Sequence, residues 1–351
     1  MADRYWVGGT GTWSATNTAN WSTSSGGSGG ASVPTSADNA QFLSTSAASA
    51  YVVTVSTSVN CSTLILQYES LGNSLTFSGV GTINVYGNLT CYTSSDINVN
   101  VTLNFRSTTS GREINAFGNT LNGQVIFDGV GGAWAITRNT NVSNTVSLVN
   151  GTLNLNTYSL TTPSFDTSNS NTRTLNFGTS GSINVSGSGA TAFNCSTSTG
   201  LTVSGTLTGT SINMTSASAK TFAGGGKTWP GISNQGGGAL TITGANTFAG
   251  PCTTSAPATY TFQSGVTQTF TSSLNFSGTA VAGVTLNSTT AGTQATLSQA
   301  AGLGFSAGYV NVKDSNATGG QTWVAVNSID AGNNTGWFFI DSSGGSMMMF
   351  C

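Results

Sequence analysis

The chain has 351 residues, with eight lysines and arginines, ten acidic residues, no histidine and a net charge of −2. Charged residues are 5% of it, against roughly 25% in an ordinary soluble domain; Ser, Thr, Asn and 47 glycines hold the mean hydropathy at +0.04. Cations this sparse, scattered from Arg4 to Lys313, argue against a nucleic-acid face, and no apolar stretch approaches the roughly 20 residues of a membrane span.

Residues 1–45 read as an N-terminal cap or attachment segment. Three tryptophans, Trp6, Trp13 and Trp21, lead into a run from Ser22 to Ser32 with the Ser/Gly composition of a flexible linker. The opening Met-Ala-Asp-Arg-Tyr-Trp has no basic segment followed by an apolar one, so no secretory leader is read there.

From 46 to 300 the chain reads as one body of short strands. Apolar and polar residues alternate in Val53-Thr54-Val55, Leu64-Ile65-Leu66, Leu75-Thr76-Phe77, Ile83-Asn84-Val85, Leu153-Asn154-Leu155, Leu240-Thr241-Ile242 and Val284-Thr285-Leu286. This period of two marks half-buried strands. No window shows the apolar spacing of an amphipathic helix, and Gly or Ser-Gly punctuates the gaps as in tight turns. The segment Leu75–Gly87 is echoed by Leu175–Gly187, where Leu, Phe, Gly, Ile, Asn, Val and Gly coincide at a shift of 100 residues. Strand-turn-strand units with drifting spacing predict a β-solenoid with coils of about 20–30 residues. Outward Thr and Asn on successive coils can then form uncharged hydrogen-bonded ladders, where columns of like charge would repel.

Residues 301–351 lose the alternation and gain Trp323, Trp337, Phe338 and Phe339. A solenoid must close its end coils, so Trp6, Trp13, Trp21, Trp323 and Trp337 are the expected cap residues. The apolar tail Met347, Met348, Met349 and Phe350, following Gly344-Gly345, is expected to serve assembly or docking, because Met adapts to irregular surfaces. Cys61, Cys91, Cys195, Cys252 and Cys351 are odd in number and form no CxxC pair, which favours buried reduced thiols over a disulfide or zinc framework.

The absence of histidine removes Ser-His-Asp and Cys-His catalysis. A glycosidase needs two carboxylates facing across a sugar, and stacking offers only Asp96 with Glu113, or Glu113 with Asp128, as pairs that could converge. Gly224-Gly225-Gly226-Lys227-Thr228 lacks the leading glycine of a phosphate loop, having Thr221 there, and Trp229-Pro230 would break the helix that must follow. It is read as a turn between strands. Tyr68, Tyr86, Tyr92, Tyr158 and Trp134 lie near turns and are candidates for sugar contact, each equally placed to pack on a neighbouring coil. No catalytic residue, cofactor site or metal site is predicted.

The opening Arg4-Tyr5-Trp6-Val7-Gly8-Gly9-Thr10-Gly11-Thr12-Trp13 with Asn20-Trp21-Ser22 resembles the start of β-helical virion structural proteins of tailed bacteriophages. The ending Val312-Lys313-Asp314-Ser315-Asn316-Ala317-Thr318-Gly319-Gly320 and Asn327–Trp337, and the central Leu240–Phe248, resemble the same group. The resemblance implies a right-handed parallel β-helix used as a fibre, spike or capsid decoration, with no catalytic residues to carry over. It fits a protein of extracellular composition without a leader, which would assemble in the host cytoplasm and act on the virion surface. The expected mechanism is mechanical display by a rigid, protease-resistant rod. The expected partners are other virion proteins, further copies of the chain, a trimer among the arrangements, and a host-surface glycan. The alternatives are a polysaccharide-degrading tailspike, a bacterial surface adhesin and, for the fold, a stacked antiparallel β-sandwich fibre.

Overall fold

The structure, a computed structural model, describes residues 2–67, 74–92 and 97–341. Apart from a 3-10 turn at Ser44–Ser46, the regular elements among these residues are all short strands. They wind into a parallel β-solenoid of about 13 turns in all. Two compact units are distinguished: one is Met1–Pro163 with Asn171–Gly181 and Gly200–Thr202, the other Ser164–Ser170, Ser182–Thr199 and Val203–Cys351.

In the first unit each turn contributes three strands. Tyr51–Val55, Val59–Cys61 and Leu64–Gln67 make the first, second and third faces of one coil. Leu75–Ser78, Thr82–Val85 and Leu89–Cys91 make those of the next. The faces stack in parallel register, Tyr51 beside Leu75, Val59 beside Ile83 and Leu64 beside Leu89. Parallel pairing overturns the antiparallel β-sandwich alternative. Alternate residues point inward, so Val53, Val55, Leu64, Leu66, Leu75 and Phe77 are fully buried. The intervening polar residues build the expected ladders: the Asn84 amide donates to Asn60 at 3.1 Å and the Asn122 amide to Asn100 at 2.9 Å.

The 100-residue echo does not mark a repeat of whole coils. Leu75–Ser78 belongs to the first face, paired with Tyr51–Val55 and Ile97–Val99. Its counterpart Arg173–Asn176 pairs with the end of Val146–Asn154, which continues the third face. Each string turns a corner on a glycine, although the two glycines stand one position apart in the alignment. Gly79 (φ 111°) and Gly178 (φ 59°) sit so close to the preceding coil that a Cβ would collide with the Val55 carbonyl and the Asn156 backbone respectively. Glycine is required there both by its backbone angle and by the approach.

The N-terminal tryptophans form the expected cap. Asp3–Trp6 pairs in parallel with Asn39–Leu43, and its other edge is covered by Trp21–Ser22, which runs antiparallel. Covering an outer edge removes a template for association. Trp6, Trp13 and Trp21 are buried, with centroid separations of 5.2 Å for Trp6–Trp21 and for Trp13–Trp21. The run Ser22–Ser32 is not a free linker. The Ala31 amide donates to the Trp21 carbonyl, the Gly30 amide to Thr18, and Arg4 Nε to the Ser32 carbonyl at 3.0 Å. Its glycines serve turns that fold over the cap. Coil stacking already begins inside 1–45, because Asn39–Leu43 pairs with Leu64–Gln67.

In the second unit coils vary more in length. The Ser233 and Thr253 hydroxyls, 2.9 Å apart, bridge a coil of 20 residues, and the Asn213 amide reaches Asn184 across 29. Phe165, Phe193 and Phe222 stack face to face at 5.4 and 4.7 Å, and Phe222 meets Phe248 at 5.8 Å. Stacking of coils continues past residue 300: Val310–Val312 pairs with Val284–Ser288, and Ser315–Thr318 with Ala295–Gln299. Trp323 lies beside Trp337 at 5.2 Å and Phe305 closes on Trp323 at 4.8 Å; the two tryptophans are buried against their own coils, while Phe338 is exposed. Met347–Phe350 lies outside the described residues.

The four described cysteines are free and buried, as expected. Burial pushes the thiols of Cys91 and Cys252 up to about 12 and that of Cys61 higher still. Lys220 is buried too; its ammonium donates to the Ser216 carbonyl at 2.7 Å and the Gly238 carbonyl at 3.1 Å. Burial lowers it to about 8.

Two predictions follow from this packing. Phe222→Ala, which empties the middle of the aromatic column, should cost about 3–5 kcal/mol, read as a fall in the urea midpoint. Between pH 8 and the ordinary lysine value of 10.5 the unfolded chain holds a proton that folded Lys220 has released, so stability rises with pH from about 8. The buried thiols oppose this as pH nears their ordinary value of 9.0, because unfolded cysteines ionise while the buried ones do not. The thiol contribution is common to the native chain and Lys220→Met, so in urea unfolding the stability of the native chain relative to Lys220→Met should rise with pH from about 8.

Candidate functional site

The corner that joins the third face of the first unit to the first face gathers the most chemically distinct surface among its grooves. On one coil, strand Arg112–Asn115 ends and the Asn115 side-chain oxygen accepts the Phe117 amide at 3.1 Å. This turn holds Phe117 at φ 49°. Two coils on, the Asn154 side chain accepts the Asn156 amide at 2.9 Å and holds Asn156 at φ 54°. Ile114 stands beside Ile136, and Ala135 beside Asn154, so the corners of three successive coils are stacked. Parallel strands sit roughly 4.8 Å apart, which sets the spacing of the corner residues.

Phe117, Gly118, Arg138, Asn139 and Tyr158 line the resulting groove. The Arg138 guanidinium carbon lies 4.4 Å from the centre of the Phe117 ring, a cation–π contact. Arg138 and Asn139 are exposed, Phe117 and Tyr158 half-buried. Among the described residues the Arg138 side chain makes no hydrogen bond or ion pair, and the Asn139 side chain accepts the Ser159 amide at 3.0 Å. The guanidinium thus lies over a ring with its N–H groups open to solvent. A left-handed backbone costs a non-glycine residue roughly 1–2 kcal/mol, a cost that the partly buried Phe117 ring and its cation contact offset. By contrast, the grooves lined by Tyr309, Asn327 and Ile329, by Phe305, Gln321 and Val324, and by Trp13, Pro34 and Asn60 carry no charged side chain.

Tyr158 was expected as a sugar contact and is part of this groove; Phe117 and Arg138 were not singled out. The signal that could have found them is their spacing of about one coil, with Asn115 and Asn154 marking the corners. Trp134, read as near a turn and open to a ligand, is fully buried against Phe127 at 5.4 Å. Tyr86 is half-buried and Tyr92 half-exposed, while Tyr68 lies outside the described residues. Glu113 is exposed on the third face, beside Ala135, and Asp128 follows the second-face segment that stands beside Leu103–Phe105, so the structure does not bring this pair together. Asp96 is outside the described residues. Gly224–Thr228 leads into strand Thr228–Trp229, not a helix, with Trp229 Nε1 donating to the Gly224 carbonyl at 3.0 Å, as a turn requires.

Among the described residues no group of three or more His, Cys, Asp or Glu side chains could hold a metal ion, and no helix is long and apolar enough to cross a membrane. No family model, no curated protein and no solved structure matches the chain.

The strain at Phe117 can be measured apart from any ligand. Phe117→Gly relieves the left-handed angle and Phe117→Ala does not, so the glycine variant should be more stable than the alanine variant by about 1 kcal/mol in chemical denaturation.

Proposed function

We propose that the chain is a bacteriophage virion structural protein, an appendage of the fibre, spike or capsid-decoration type. Its stacked coils display a surface for host contact or particle stabilisation. The observation that carries this reading is the use made of the carboxylates. Asp3 accepts the Asn39 amide at 2.8 Å, Asp128 that of Asn150 at 2.8 Å, Asp166 that of Asn194 at 3.1 Å and Asp314 that of Asn333 at 2.6 Å. Each is a charged rung of the polar ladder, tying its segment to one further along the chain. The Asn333 amide holds Asp314 below the usual carboxylate value, and the Thr35 hydroxyl does the same for Asp38. Charge-assisted hydrogen bonds of this kind are among the stronger polar contacts, and here they reinforce the scaffold.

The resemblance of both ends and the centre to β-helical virion proteins supports the same reading, as does a parallel solenoid whose coils are fastened by polar side-chain ladders, the aspartates among them. A polysaccharide-degrading spike would need two carboxylates facing one sugar, and Glu113 and Asp128 stand on different faces. The partners this reading implies are other virion proteins and further copies of the chain.

Gold-labelled antibody raised against the chain should decorate purified virions at a fixed position on head, neck or tail. Label confined to the surface of uninfected bacteria would overturn the reading in favour of an adhesin.

A further inference from the structure

We propose that the Phe117–Arg138–Tyr158 corner is a binding site for a carboxylate-bearing sugar residue of a surface polysaccharide. Three observations converge on that ligand class. First, Arg138 is anchored by the Phe117 ring at 4.4 Å while its N–H groups stay open, and a guanidinium held this way presents a planar fork that matches a carboxylate in two parallel hydrogen bonds. Second, Tyr158 stands beyond Arg138 along the stack. Two coil steps of roughly 4.8 Å separate its corner from that of Phe117, and both half-buried rings line the groove that holds the cation. A ring face accepts the apolar C–H surface of a sugar, and a tyrosine adds a hydroxyl to bond its polar edge. Third, Asn139 lines the same groove, and with its oxygen occupied by the Ser159 amide its side chain offers an N–H donor. In a chain of net charge −2 with few charged side chains, an exposed cation without a carboxylate partner among the described residues leaves its complement to an incoming anion. The strained angle of Phe117 is explained on the same terms, because the left-handed corner aims its ring under the guanidinium.

The inference rests on the reading of the chain as a surface-display protein and names the chemistry of what is contacted. It is tested on the isolated full chain by calorimetric titration with oligogalacturonate, hyaluronan oligosaccharides and sialyllactose, with methyl-esterified oligogalacturonate as the neutral counterpart. At least one acidic sugar should bind, and esterification of oligogalacturonate, where that is the ligand, should abolish binding. Arg138→Gln and Tyr158→Ala should each weaken binding by about tenfold or more. Arg138→Lys should not restore it, since a lysine keeps the charge but neither the fork nor the stacking. Phe117→Gly, which relieves strain and so folds, should also bind weakly. No binding by any of the three acidic sugars, equal binding of the ester, or full affinity in Arg138→Gln or Arg138→Lys would overturn the site; the last would indicate attraction by charge alone. Absence of the chain from virions would refute the appendage reading and leave this result standing, because binding is read on the isolated protein.

Discussion

Parallel hydrogen bonding between successive coils is the constraint from which the other features of this chain derive. When Leu64 lies beside Leu89 and Thr102 beside Thr82, every side chain stands on one from an equivalent position of the coil before. Inward columns must then be apolar throughout, and outward columns must be able to stack on their own kind. A column of lysines or glutamates would repel itself. Asn, Ser and Thr can donate to and accept from like neighbours, as Asn60 and Asn84 do. The 5% charge content is therefore a consequence of the architecture, and the aspartates that remain are tolerated where an Asn donates to them, as at Asp128 and Asn150.

The same stacking makes corners the only places where chemistry can vary. On a face, a side chain has coils above and below it; at a corner it can point away. The corners are closed by an Asx side chain that accepts the amide two residues on, at Asn115, Asn154 and Asn176. The third residue is forced to a left-handed angle, which explains why glycine or asparagine is usual there, as at Gly178 and Asn156. Phe117 departs from that rule and sits beneath the one charged side chain in its groove. Local conflict of this kind, where backbone preference is overridden, is where function is expected to concentrate.

Closure of the ends follows from the same constraint. A parallel stack leaves an unpaired edge at each terminus, and the N-terminal one is met by a reversed strand, Trp21–Ser22, over a cluster of Trp6, Trp13, Trp21 and Phe42. At the other end Trp323, Trp337 and Phe305 pack together, while Phe338 and Ile340 face outward. Tryptophan suits this position because its large ring fills the space left by a missing coil, and the N–H groups of Trp6 and Trp323 find carbonyls, at Gly9 and Thr318.

Strand identity, the solenoid, the buried thiols and the cap tryptophans were legible in the amino-acid order, because each depends on a local period or on composition. Alternation in Leu75-Thr76-Phe77 assigns the inner face whatever the partner strand is. The ladders were legible for the same reason. What the order of residues could not decide was register and placement in the round. Leu75–Gly87 and Leu175–Gly187 share seven of thirteen residues, yet their first strands lie on different faces, since the coils between them are 20 to 22 residues long and 100 is no whole number of these coils. Ser22–Ser32 has a linker's composition, but its backbone hydrogen bonds fold it onto the cap. Trp134 looked like a turn aromatic and proved to be core, because two strands on adjacent faces merge into Val125–Ile136 and turn its ring inward. Phe117, Arg138 and Tyr158 are unremarkable in the chain and become one groove only when three coils are superposed. Alternation along a strand assigns most residues to the inside or the outside of their coil; which of them meet depends on how many residues each corner takes to turn, and that is settled only when the coils stack.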